Sequence, residues 1–80
     1  DRNMDYLGAI ECYNKALCIE TENSIYWHNR GCSYRNSGDL NQALKDITKA
    51  ISIDSFNIQY YENRAYLWKK MEKYDQAIHD

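Results

Sequence analysis

The sequence contains no proline. Nothing in it locks φ or removes a backbone donor in mid-element, so long uninterrupted helices are permitted. Glycine is scarce as well, at three residues, which leaves few positions for a left-handed turn. Cysteine occurs only as Cys12, Cys18 and Cys32. An odd count in a short chain argues against a disulfide framework. Free thiols fit a reducing, intracellular setting, the cytoplasm. Charge of one sign is missing too, with a formal net charge of −2. That is too little to draw the chain to nucleic acid or to an anionic membrane surface. No apolar run approaches the roughly 18 residues needed to cross a bilayer. The opening Asp1-Arg2-Asn3-Met4 lacks the apolar stretch of a signal peptide.

The usual signatures of a reactive centre are also missing. Cys12 and Cys18 are six residues apart, a spacing that puts them on different faces of a helix. There is no Cys-x-x-Cys and no paired-histidine spacing, since His28 and His79 stand alone. Gly-rich phosphate loops and serine elbows are absent. The expectation is a chain without metal, cofactor or catalytic residues.

What the sequence does have is a repeat. The segments starting at Tyr6, Leu40 and Tyr74 read YLGAIECYNKALCIE, LNQALKDITKAISID and YDQAIHD. Ala9, Ala43 and Ala77 share a column at a spacing of 34 residues, followed by Ile10, Leu44 and Ile78. The intervening segments agree at the same period. Trp27 lies over Tyr61, Asn29-Arg30-Gly31 over Asn63-Arg64-Ala65, and Tyr34 over Trp68. Leu40, Ala43, Leu44, Ile47, Ala50 and Ile51 recur at three- and four-residue steps, which is one face of a helix. Asp39 is placed to cap that helix, and Gly38 to end the one before it. The pattern predicts helices at about 5–19, 24–37, 40–53, 58–71 and from 74 to the end. Short residues at Gly31, Ala43, Ala50, Ala65 and Ala77 are expected where antiparallel helices approach closely. Tyr13, Tyr34, Tyr61 and Tyr74 are expected to fill the wider gaps.

These residues resemble the tetratricopeptide repeat family, whose pattern spans 34 residues. Trp27, Gly31, Tyr34, Ala43, Ala50 and the Gly38-Asp39 turn carry the resemblance. It implies an all-α, right-handed superhelical solenoid of antiparallel helix-turn-helix units. One whole repeat is expected at 24–57, with partial ones at 1–23 and 58–80, as a piece of a longer array. There are departures. Arg30 and Arg64 stand where the family has leucine, and Thr21 and Ser55 where it closes with proline. Met4 and Glu72 replace the tight-turn glycine in the flanking copies.

The resemblance also implies a protein-binding scaffold, with the first helix of each pair lining a concave groove. By register the groove positions are Ile25, His28, Asn29, Cys32, Arg35 and Asn36, then Gln59, Glu62, Asn63, Tyr66, Lys69 and Lys70. Such a mixed surface suits a partner peptide or protein segment. Asn29 and Asn63 stand out, because a carboxamide offers both a donor and an acceptor. Asn29-Arg30 and Asn63-Arg64 are similar to a motif in tetratricopeptide domains that clamp the acidic tails of heat-shock chaperones. The Lys and Arg that complete such a clamp would fall at Gln59 and Asn63, and they are absent. Lys69, Lys70 and Lys73 form a basic cluster that a helix carboxy-terminus favours. A non-catalytic module of a larger enzyme is the remaining alternative. Neither nucleic acid nor membrane insertion is expected. Apolar surface at the two uncapped ends should promote self-association. Sedimentation is expected to show association rising with concentration, and a clean monomer at high concentration would refute this.

Overall fold

The computed structural model describes residues 5–79, with side chains as far as Lys73. It contains α1 (Tyr6–Ile19), α2 (Ser24–Ser37), α3 (Leu40–Ile53) and α4 (Ile58–His79). Each helix packs on the next in chain order, giving an all-α helical-repeat solenoid. No strand occurs among the described residues.

The helix boundaries follow from side chains that recur at the repeat spacing. Asp5 and Asp39 cap α1 and α3 by accepting from the N–H groups of Gly8 and Gln42, at 2.9 and 3.2 Å. Asn23 and Asn57 accept from Ile25 and Gln59 at the starts of α2 and α4, each at 3.0 Å. The turns without proline are tied by aromatic donors instead. Trp27 Nε1 donates to the Thr21 carbonyl at 2.7 Å, and Tyr61 Oη donates to the Ser55 carbonyl at 2.8 Å. Gly38 ends α2 at φ 100°, where a side chain would be strained. The Asp39 N–H then reaches the Tyr34 carbonyl at 2.9 Å, closing the turn into α3.

One expected boundary is corrected. The break at residues 72–73 does not form, and α4 runs without interruption from Ile58 to His79. Glu72 and Lys73 occupy the columns of Gly38 and Asp39. Neither supplies what the middle repeat uses there, a left-handed residue and an aspartate cap. Both are good helix formers, so the helix continues. The side chains of Tyr74, Ala77 and Ile78 lie outside the described residues, as do Met4 and Asp80 entirely.

The core lies mainly around α3. Ala43, Ala50, Ile47 and Leu67 are at most 1% exposed, and Tyr60 is 2% exposed. Gly31 sits where α2 crosses α3. A Cβ there would lie only 3.1 Å from Asp46 Cβ and from Ile47 Cδ1, so a side chain would have to push its neighbours back by a few tenths of an ångström; close contact, not backbone angle, favours glycine here. Ala65, in the same column of α4, is exposed, and so is Tyr61 at 39%. Both were expected to pack, but no helix covers that side of α4 among the described residues.

Asp46 is 1% exposed in the middle of this apolar contact. Arg30 neutralises it with two bonds, Nε to Oδ2 at 2.8 Å and Nη2 to Oδ1 at 2.9 Å. The same guanidinium donates through Nη1 to Asn14 Oδ1 on α1 at 2.7 Å. It also lies over the rings of Trp27 and Tyr34, at 4.9 and 5.8 Å. The hydrogen bonds to Asp46 raise the Arg30 pKa further above its already high ordinary value. Removing one partner of a buried pair strands the other, at a cost of about 3 kcal/mol or more. Asp46→Ala is therefore expected to lower the urea midpoint sharply, whereas Arg30→Leu with Asp46→Leu should recover most of the loss. Equal midpoints for wild type and Asp46→Ala would show that the pair holds nothing together.

Candidate functional site

The groove positions of α2 and α4 face each other where these helices converge, with Tyr60 and Leu67 buried beneath them. Helical spacing puts His28, Cys32 and Arg35 on one stripe of α2, and Asn63, Tyr66 and Lys70 on one stripe of α4. The structure joins these six. Arg35 Nη1 donates to Asn63 Oδ1 at 2.9 Å. Arginine has no acceptor, so this bond fixes the orientation of the carboxamide. The amide nitrogen then points at His28 Nε2, 2.7 Å away. It can only donate, so that ring nitrogen must be the unprotonated acceptor and His28 must be neutral.

The surroundings agree with a neutral ring. Burial pushes the His28 pKa down, and the charge of Arg35 adds to this, while a side-chain hydrogen bond with Asn29 opposes it. Tyr60 lies against the imidazole with centroids 4.8 Å apart, and its hydroxyl shares a 3.1 Å hydrogen bond with Ser24. Cys32 Sγ lies 3.6 Å from His28 Nε2. Burial raises the Cys32 pKa, and Arg35 opposes this only in part. A protonated thiol is a poor nucleophile, so this setting does not activate Cys32.

Tyr66 is the exposed floor of the groove, at 46%. The Arg35 guanidinium stands 5.4 Å from its ring centre and the Lys70 ammonium 5.5 Å. Two cations from two helices thus lie against one aromatic ring, next to a histidine that adds no charge. The arrangement can take a carboxylate, a backbone carbonyl or an apolar group laid on the ring.

The other groove positions are not joined to this cluster. Ile25, Asn36, Gln59, Glu62 and Lys69 are exposed along the rim. Asn29 is half-buried beside His28. Asn63 keeps one N–H and one lone pair for a ligand, since its other groups hold His28 and Arg35. Arg30 and Arg64 do not enter the groove. They lie on the opposite side, over Trp27 and Tyr34 and over Tyr61 and Trp68. Tyr60 belongs to the site, but the register did not nominate it. Its place beside Asn63 on α4, one turn away, was the available signal.

A group whose folded pKa is depressed in this way binds its proton more readily when unfolded. The stability from neutral His28 is complete above the ordinary imidazole value of about 6.5 and is lost as pH falls below it. Thermal melts of the wild type are expected to drop between about pH 7.5 and about pH 5.5, with His28→Gln showing a smaller drop. An identical drop in both proteins would remove His28 as the cause.

The sequence model of the tetratricopeptide repeat family matches residues 24–57. No curated protein matches the chain. The matched span comprises α2, the Gly38 turn, α3 and the turn that follows, which are the elements built around Gly31, Ala43 and Ala50. By this match residues 24–57 are a tetratricopeptide repeat.

Proposed function

We propose that this chain is a non-catalytic scaffold that binds an extended partner peptide along the α2–α4 groove. The family's repeats are protein-interaction modules as a class. The observation that carries the finer reading is the pair of cations on Tyr66. Arg35 is held in place by Asn63, so little rotamer freedom remains to be lost when a ligand binds. Lys70 is exposed and supplies the second charge. The partner segment best suited to this face carries an acidic side chain or a terminal carboxylate next to an apolar residue. His28 and Asn63 stiffen the groove beneath it.

The chaperone-tail clamp draws less support. Gln59 and Asn63 stand where its Lys and Arg would be, and the Asn63 amide is already held by Arg35 and His28. Attachment to an enzyme as a non-catalytic module is compatible with the same groove. No helix of the described residues is long and apolar enough to cross a membrane.

The groove can be tested with a fluorescein-labelled acidic peptide and its amidated, neutral counterpart. Anisotropy is expected to show saturable binding of the acidic peptide only, weakened as salt screens the contact. Tyr66→Ala and Lys70→Ala should each weaken it by about fivefold to tenfold, with helicity unchanged. Equal affinity for both peptides, or wild-type affinity in both variants, would remove the groove from the function.

A further inference from the structure

One carboxamide joins α2 to α4, and its two ends serve different masters on α2. Asn63 Oδ1 accepts from Arg35 Nη1 at 2.9 Å, while Asn63 Nδ2 donates to His28 Nε2 at 2.7 Å. Both bonds run in one direction, from guanidinium to carboxamide to ring. The chain is complete only while Nε2 carries a lone pair. A proton on Nε2 would set two donors against each other at 2.7 Å. Turning the carboxamide over offers its oxygen to the imidazolium. The same turn aims its N–H groups at Arg35, which has no acceptor. A single asparagine therefore cannot serve Arg35 and a charged His28 together. The remaining groups around the ring do not relieve this. On α2, Cys32 Sγ lies 3.6 Å from Nε2, and a thiol is only a weak acceptor. Arg35 repels a positive ring, while a side-chain hydrogen bond with Asn29 favours one. On α4, Tyr60 lies against the imidazole at 4.8 Å, its hydroxyl engaged with Ser24. Among the described residues, neither a carboxylate nor any side chain of α1 or α3 hydrogen-bonds the ring.

We propose that His28, Asn63 and Arg35 form a proton-operated latch, in which a proton taken up at His28 moves the Asn63 carboxamide from Arg35 to the ring and sets the guanidinium free. The crossing of α2 and α4 stays bridged, because the contact between His28 and Asn63 persists with its direction reversed. What changes is Arg35, which loses the bond that fixes it 5.4 Å from the Tyr66 ring centre. The change belongs below about pH 6.5, where an imidazole that resists its proton titrates. It differs from the loss of stability in acid that any buried neutral histidine produces. A particular bond changes partner while the helices remain folded. The latch does not depend on a peptide lying in the groove.

The test is an NMR titration of the nitrogen-15-labelled chain from about pH 7.5 to about pH 5, with circular dichroism taken at each point. At the neutral end the His28 ring is expected as the Nδ1–H tautomer, with Nε2 accepting. As the ring titrates, the Asn63 carboxamide signals should move with the same midpoint, and the order parameter of Arg35 Nε–H should fall. Asn63→Asp separates the latch from simple charge repulsion. A carboxylate accepts from Arg35 and from an imidazolium at once. In that variant His28 should hold its proton about tenfold more tightly, and Arg35 should stay ordered throughout. In His28→Gln the Asn63 and Arg35 signals should stop responding to pH. An Arg35 signal that ignores the His28 midpoint in the wild type would overturn the proposal. An Nε2–H tautomer at neutral pH would do the same, as would helicity lost at that midpoint. Arg35 freed by acid in Asn63→Asp as well would make repulsion the cause and reject the latch. The wild-type titration decides the matter even where a variant fails to fold.

Discussion

The middle hairpin closes around a single buried carboxylate. Asp46 sits at the point of closest approach between α2 and α3, beside Gly31 and between Ala43 and Ala50. An unpaired carboxylate there would be untenable. Arg30 satisfies both of its oxygens and reaches Asn14 on the preceding helix with a further nitrogen. One side chain therefore ties α1, α2 and α3 together. Trp27 and Tyr34 on either side keep water from the guanidinium and hold its plane.

The pairing also organises what lies on the other side of α2. Because Arg30 faces the interior of the hairpin, its neighbours on the helix are turned outward. His28, Cys32 and Arg35 thus project toward α4, where Asn63 meets two of them with one carboxamide. In the groove proposed above, hydrogen bonds of Asn63 to Arg35 and His28 tie the base together, and charged side chains stand at the rim. That division suits recognition of a flexible segment, which must itself become ordered on binding and gains most from a surface already in place.

The two faces of α4 differ in how far they are completed. Its inner surface contributes Tyr60 and Leu67 to the core and Tyr66 to the groove. Its outer surface reproduces the aromatic and cationic pattern of α2 without the helix that covers it. An array of near-identical units makes such surfaces unavoidable, because each unit is stable only when its neighbour buries the face that it presents.

The sequence by itself determined the helices and the chemistry of their ends. Periodicity placed α2 and α3 at their observed limits, and Gly38 and Asp39 announced the turn between them. Those signals are local, since a cap or a left-handed residue acts within one turn of itself. The same logic, applied to Glu72 and Lys73, accounts for the unbroken α4 once the family pattern is set aside. Only the tertiary structure decided which polar side chains are available. Asn63 read as a free ligand-binding amide until the crossing of α2 and α4 brought Arg35 and His28 to it. Arg30 read as a departure from the pattern until α3 delivered Asp46. Tyr61 read as buried, yet it is open on one side. Each of these outcomes depends on which residues meet across a helix crossing. That is set by distances between helices far apart in the chain, and no window of neighbouring residues contains it.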